Sequence, residues 1–407
     1  MKNRLWTTTA LTSVAIVFLT SAEAAAQAHP GEVPPPTTPV VAPPAPQRIK
    51  LGLSGYYQQW AVATNQSYKT RATPDSSARY QNTVFLDNKH NSEVCVIGQT
   101  TLDNGLTIGV NIQIEAFSEG DSIDESYLFL QSPTLGQVIV GDEDNAAYLL
   151  HVTAPDGGIP IDSGDLVKVR MFETGGGVLF DTPLATTNLR LNDNDSGKFT
   201  YISPRFAGFQ VGASYIPNFE QPGGDNNSAL TAVGTGDGGR NSGQHDGVAA
   251  AVNYTETFGG FGVQASGGFL RADSFSGGPN KSDSNLIGYN AGAQFSYEGV
   301  TVGGGWMWVP QGQRTATTKF NGQSWSVGAA YTFGPYKVGF EYFTGNNNKT
   351  GNGGRDRLEQ TGVSGTYTLG PGIRLVGGVF YYDWQEENKL SQNKNGVLGA
   401  TAIKLAF

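Results

Sequence analysis

The chain has a single cysteine, Cys95, among 407 residues, so no internal disulfide can brace it even in an oxidising compartment. It also lacks any run of about 18 apolar residues, which excludes a membrane crossing by helices. Basic residues are scarce: 26 Lys and Arg against 35 Asp and Glu leave a formal charge of −9, a balance that argues against nucleic acid as a partner. Catalytic and metal-binding patterns are missing as well. Gly52-Leu-Ser-Gly55 and Gly362-Val-Ser-Gly365 are each one residue short of a nucleophile elbow. His29, His90, His151 and His245 have no mutual ligand spacing. Asn192-Asp-Asn-Asp-Ser-Gly197 lacks the glutamate that a calcium loop places six residues beyond its glycine. No metal or other cofactor is expected.

What the chain does hold is glycine, 56 residues of it, with a hydrophobic fraction of only 38%. Residues 1–28 read as a secretory signal peptide, with Lys2 and Arg4 at its start, an apolar stretch from Leu11 to Leu19, and Ala26-Gln27-Ala28 as the cleavage site. Residues 29–47 carry eight prolines and read as an extended periplasmic tether. From residue 48 to 407 no compositional break appears, which favours one large domain.

That domain alternates. Leu106, Ile108, Val110, Ile112 and Ile114 fall on one face of a segment, with Thr107, Gly109, Asn111, Gln113 and Glu115 on the other, and Asp103-Asn-Gly105 supplies a hairpin turn before it. The same pattern predicts sixteen strands, near 48–61, 92–102, 106–117, 122–132, 135–142, 197–204, 208–216, 246–256, 260–272, 284–297, 299–309, 322–333, 335–344, 357–369, 372–385 and 393–407. Short turns and long Asn, Gly and Asp-rich loops take alternate positions between them. An even count that ends on the short-turn side is what closure requires, since an open edge would expose backbone donors to lipid. The last strand, Gly399 to Phe407, sets Thr401, Ile403, Leu405 and Phe407 against Ala400, Ala402, Lys404 and Ala406. Outward aromatics fall in two belts: Tyr331, Phe333, Tyr336 and Tyr367 at one end, Trp306, Trp308, Tyr342 and Tyr381 at the other. The predicted fold is all-β, a sixteen-stranded antiparallel transmembrane barrel.

The inward set is small or polar, and sixteen strands enclose a lumen too wide for side chains to fill. Function then depends on what narrows the opening. The third long loop is out of proportion at about fifty residues. It opens with Gly141-Asp-Glu-Asp-Asn-Ala-Ala and from Asp142 to Asp165 carries six acids, Asp142, Glu143, Asp144, Asp156, Asp162 and Asp165, and no Lys or Arg. Its Ala146-Ala-Tyr-Leu-Leu150 stretch is too apolar for a solvated tail, so it is expected to be covered.

Together, the signal peptide, the strand count, the terminal Phe407, this third loop and Tyr201-Ile-Ser-Pro-Arg-Phe-Ala-Gly-Phe209 resemble the general diffusion porins of Gram-negative bacteria, especially those of alphaproteobacteria. The resemblance covers residues 48–407. It implies a water-filled channel in the cell outer membrane, set in lipid and lipopolysaccharide, that passes small hydrophilic solutes and ions by passive diffusion. It further implies a homotrimer, a third loop folded inward as the constriction with Asp142, Glu143 and Asp144 as its acids, and Phe407 as the signal read by the barrel-assembly machinery. In such porins basic wall residues face that loop. Alternation places Lys50, Lys337, Arg374 and Lys404 inward, with Lys198 and Glu115 as further lumen candidates. The four cations lie only two to four residues from the short-turn end, which suggests a basic mouth below the constriction. Weak cation selectivity is the expected balance.

Three rivals stay open. A substrate-selective channel could use the same barrel. A barrel esterase or phospholipase would need a serine partner for His245, and none is identifiable in the sequence. A surface adhesin could use loops such as 217–245.

Overall fold

The computed structural model describes residues 48–70, 79–116, 123–162, 185–191, 196–219, 242–276, 285–315, 318–349, 354–387 and 393–407. The expected signal peptide and tether, and Asp165, lie outside these residues. Sixteen strands form one closed antiparallel barrel whose spatial order equals sequence order, with β1 paired to β16. The strands are β1 Lys50–Thr70, β2 Arg79–Thr101, β3 Thr107–Glu115, β4 Ile123–Ser132, β5 Gly136–Asp142, β6 Gly197–Ile202, β7 Phe209–Asn218 and β8 Ser242–Phe258. They continue with β9 Phe261–Ser276, β10 Leu286–Tyr297, β11 Val300–Thr315, β12 Thr318–Phe333, β13 Tyr336–Lys349, β14 Gly354–Gly370, β15 Ile373–Glu386 and β16 Lys394–Ala406. The only helix among the described residues is a single turn, α1, Ala146–Leu149. No described helix is long and apolar enough to cross a membrane.

The short turns form where the sequence places residues able to reverse the chain tightly. Ala207 and Glu298 take positive φ angles of 46°, each followed by a glycine with φ above 80°. Such a pair closes a two-residue hairpin with the twist that the flanking strands require. At the seam, Gly55 and Phe407 exchange backbone hydrogen bonds of 2.9 and 3.1 Å, so the terminal residue itself completes closure. Outward alternation is as expected. Leu51, Val110, Val211, Phe295, Trp308, Trp325, Tyr331, Phe340, Val379 and Ile403 are all exposed, which only a lipid solvent tolerates at this density.

The structure departs from the sequence reading in two respects. The strands reach further on the long-loop side than expected, most of all β1 and β2, which extend through residues that the alternation assigned to a loop at 62–91. Their upper halves, such as Asn82 and Asp87-Asn-Lys-His-Asn91, are polar because they continue above the apolar band, so the membrane pattern fades while the ladder persists. The second departure concerns the inner face, which is not uniformly small and polar. Trp60, Val62, Phe343, Leu358, Phe380, Tyr382, Trp384 and Leu398 occupy inward positions of β1, β13, β14, β15 and β16 and are buried together with Ile159, Ile161 and Ala185. A second cluster joins Leu189 and Leu191 to Ile216, Leu270, Leu286, Met307 and Val309. Apolar inner residues are stable where a covering segment removes them from water.

Candidate functional site

The segment after β5 begins at a buried polar node. Asn145 caps α1, its side-chain oxygen accepting from the N–H groups of Ala147 (2.8 Å) and Tyr148 (3.1 Å), while its amide donates to Leu189 O at 2.8 Å. The N–H of Ala146 donates to Ser214 Oγ of β7 at 2.8 Å. The helix is seated by small partners: a methyl added at Gly212 or Gly268 would lie within 3.1 Å of Ala146 Cβ or Ala147 Cβ respectively.

Beyond α1 the chain hydrogen-bonds to the inner face of one strand after another. Asn253 of β8 donates to Leu150 O at 3.0 Å, Val152 N donates to Ser266 Oγ of β9 at 2.8 Å, and Gln294 of β10 donates to Thr153 O at 2.7 Å. Thr366 of β14 donates to Gly157 O at 2.7 Å, and Lys404 of β16 donates to Gly158 O at 3.0 Å. Close approach demands glycine on both sides. A side chain at Gly292 would strike Val152 O, one at Gly328 would strike Pro155 O, and one at Gly157 would strike Ser364 O.

Glu341 of β13 makes the strongest of these contacts. Its buried carboxyl group accepts from Ile161 N at 2.7 Å and from Asp162 N at 2.9 Å, two bonds from nearby amides. Sequence reading missed this residue. Its one signal was a carboxylate amid the glycines and aromatics of an inward mid-strand position.

The acids expected in this loop have unequal fates. Asp162 is buried and accepts from the Thr153 and Thr187 hydroxyls and from Thr187 N at 2.8 Å, so it joins the two described parts of the segment. Asp144 is buried 3.6 Å from Arg190, whose guanidinium also lies 5.1 Å from the Tyr148 ring. Asp156 accepts from Gly158 N at 2.5 Å and stands 3.9 Å from Lys337 Nζ. Asp142 closes β5 opposite Ser126 and is only half-buried. Glu143 is buried, and its carbonyl accepts from Lys198 Nζ, which also donates to Ser196 O at 2.8 Å.

The basic candidates divide likewise. Lys404 is buried, with its ammonium 5.1 Å from the Trp60 ring as well as on Gly158 O. Lys337 and Lys404 therefore meet residues 156 and 158 directly. Lys50 and Arg374 sit near the short-turn ends of β1 and β15. Glu115 gathers with Glu93 and Asp124, their carboxylate oxygens within 4.8 Å of one another; Glu125, Glu143 and Asp144 form a similar trio. In the second, Arg190 stands 3.6 Å from Asp144.

Two histidines have defined neighbours. His245 Nδ1 lies 2.7 Å from Asp246 Oδ2. His151 Nε2 lies 3.4 Å from Thr187 Oγ1, and burial lowers its imidazole pKa to about 4 although the Asp162 carboxylate pulls the other way.

The family of Gram-negative porins matches residues 10–386 of the chain. No curated protein matches it by sequence. Among solved structures, OmpT of Vibrio cholerae in its trimer form is 14% identical with a TM-score of 0.51, covering 88% of this chain and 100% of that one. OmpF of Salmonella typhi, in complex with daunomycin, is 16% identical with a TM-score of 0.51 over 88% and 98%. The outer-membrane channel DcaP of Acinetobacter baumannii is 13% identical with a TM-score of 0.53 over 88% and 98%. At these identities the likeness is one of fold.

Proposed function

We propose that residues 143–162 and 185–191 form the inward constriction of this chain, which belongs to the Gram-negative porin family and is a passive-diffusion channel of the outer membrane. The observation that carries this reading is the row of hydrogen bonds from one segment to inner-face side chains of β7, β8, β9, β10, β13, β14 and β16. A segment that touches so many walls of a closed barrel from their inner faces crosses the opening. Solutes then pass between it and the opposite wall, where β1–β4 present Tyr56, Asn91, Glu93, Asn111, Gln113 and Glu115. The passing species are small hydrophilic molecules and ions, sorted by size and weakly by charge.

Residues 1–28 act as the cleaved export signal, 29–47 as a periplasmic tether, and Phe407 as the assembly signal at the seam. The working unit is a homotrimer, as in the trimer form of OmpT, and the barrel carries no enzymatic activity. Liposome swelling with sugars of increasing size tests the function. A smooth decline in rate with size supports a general channel; no flux at any size refutes it. A substrate-selective channel built on the same barrel is the second reading. One sugar passing faster than its size allows would establish it. The constriction has its own check: a cysteine at Asp156, in a Cys95→Ser background, should be shielded from a thiol reagent too bulky to enter the pore.

A further inference from the structure

One row of inward positions runs across five adjacent strands where the tip of the constriction meets the wall. The registers Thr368↔Arg374, Arg374↔Lys404, Gln58↔Lys404 and Gln58↔Asn91 set these residues side by side on β14, β15, β16, β1 and β2. Lys404 marks the height of the row, since it donates to Gly158 O of the tip at 3.0 Å. Arg374 and Lys404 stand directly opposite one another. Two like charges so placed on one face of a sheet repel, and none of the five positions holds an acid to relieve them.

Gln58 adds a third donor to the two cations. It is fully buried, and its Oε1 accepts from Trp60 Nε1 at 3.0 Å, a bond that fixes which end of the amide carries the oxygen. Nε2 is thereby turned away from Trp60 and has no hydrogen-bond partner among the described residues. A buried donor left unpaired is destabilising. Three neighbouring strands therefore present donors to the same place, and the group that suits a guanidinium beside an amide N–H is a carboxylate.

One step toward the short-turn end, the same wall turns acidic. The registers Tyr56↔Glu93 and Glu93↔Glu115 continue it across β1, β2 and β3. Asp124 joins them from β4, where Gln113 pairs with Glu125 but Ile114 pairs with Ile123, so that Asp124 is the extra residue of a bulge. The carboxylate oxygens of Glu93, Glu115 and Asp124 lie within 4.8 Å of one another. Tyr56 stands between the two groups and donates to Glu93 Oε1 at 2.6 Å. A positive group is what this end of the wall attracts.

The spacing between the ends sets the size of the ligand. Three inter-strand steps separate β15 from β2 around the closed barrel, or ~14 Å between backbones at ~4.8 Å per step. Arg374 and Glu93 reach into that gap from its two sides. An extended tripeptide is ~10 Å long and carries its charges at opposite ends, whereas an α-amino acid holds both on one carbon and reaches a single cluster.

We propose that this wall is a subsite for short zwitterionic peptides, with the terminal carboxylate on Arg374 and Gln58 Nε2 and the terminal ammonium among Glu93, Glu115 and Asp124. It rests on the channel reading above and gives the substrate-selective form of that reading a substrate class. Lys404 keeps its contact with Gly158 O and the Trp60 ring, and adds its charge to the carboxylate end from there.

The test uses the full chain in planar bilayers, with triglycine, N-acetyl-triglycine and triglycinamide as probes. The three are close in size and carry both end charges, the negative one alone and the positive one alone. Triglycine should interrupt the single-channel current for about two- to fivefold longer than either blocked form, the yield of one exposed ion pair. Arg374→Gln should reduce it to the level of triglycinamide, and Glu115→Gln to that of N-acetyl-triglycine. Arg271→Gln, an exposed side chain of β9 between the buried Leu270 and Ala272, should change neither. Heat-modifiable mobility on gels reports that each barrel is folded, and liposome swelling with sugars that it is open. Equal residence of the three peptides in a channel that passes sugars overturns the subsite alone, as does a triglycine preference that survives both Arg374→Gln and Glu115→Gln. A wild type that passes no sugar overturns the channel reading and the subsite together.

Discussion

Glu341→Ala is the substitution that most directly separates the seating of the loop from the integrity of the barrel. In the native chain its carboxylate accepts two amide hydrogens, from Ile161 and Asp162, both buried. Removing it leaves two buried N–H donors unpaired at roughly 1–3 kcal/mol each, partly offset because a carboxyl group is no longer held out of water. Asp156 and Asp162 stand close enough to raise that cost further. A net loss of ~2–4 kcal/mol follows, equivalent to a rise of roughly 30- to 1000-fold in the unseated population of the segment. The barrel should not feel it, because the β13 ladder is made by backbone groups that alanine keeps. In planar bilayers the variant should therefore show larger and noisier single-channel conductance, and limited proteolysis should cut near residue 160 from outside intact cells, while trimer yield and heat-modifiability match wild type. The isosteric Glu341→Gln should lie between the two, since its amide oxygen still accepts but its NH₂ opposes the second donor. Conductance and cleavage indistinguishable from wild type in Glu341→Ala would show that the contact does not hold the segment, and the reasoning would fail.

Gly292→Val should give a similar phenotype for a steric reason, because a side chain there collides with Val152 O; dye-release and swelling assays should show a larger size limit with barrel content unchanged by circular dichroism. Acid should loosen the same segment. The His151 imidazole titrates near 4 when seated and near 6.5 when unseated, so the unseated state binds more protons and the seat weakens as pH falls from about 6.5 to 4, by an order of 2–3 kcal/mol. Conductance noise that grows over this window and is abolished by His151→Gln is the expected result, and noise independent of that substitution would count against it. In reversal-potential measurements under a potassium chloride gradient, neutralising Glu93, Glu115 and Asp124 together should shift the preference toward chloride more than Asp144→Asn does, because Asp144 already faces Arg190.

The barrel was legible because its constraints are local. Strand β16 shows its two faces in nine residues, and the turn glycines mark every hairpin on the short side. Where the chain leaves lipid that grammar ends, so the upper halves of β1 and β2 read as loop although their ladder continues. The inner face was harder. The sequence reading took the inward set as small or polar, and Phe343 and Trp384 depart from it; whether such an inner residue meets water or another segment depends on residues 159–161, about two hundred positions away. Glu341 escaped notice for the same reason, since nothing within β13 distinguishes a solvated lumen carboxylate from one that binds two amides.

The redistribution of charge has a consequence for how the channel sorts ions. An acidic loop opposed by a basic wall suggests a field across open water. In the structure the opposing charges meet: Arg190 lies 3.6 Å from Asp144, and Lys337 lies 3.9 Å from Asp156, while Lys198 and Lys404 are spent on loop carbonyls. A pair at such separation is a dipole whose field decays faster than that of a single charge, and 0.1 M salt screens the remainder beyond ~10 Å. On the proposed reading, Lys198, Lys337 and Lys404 serve mainly to hold the constriction in place. The same reading leaves ion preference to the Glu93, Glu115 and Asp124 cluster, against Lys50 and Arg374 near the short-turn ends. The expected outcome is a weak cation preference that shrinks as salt rises.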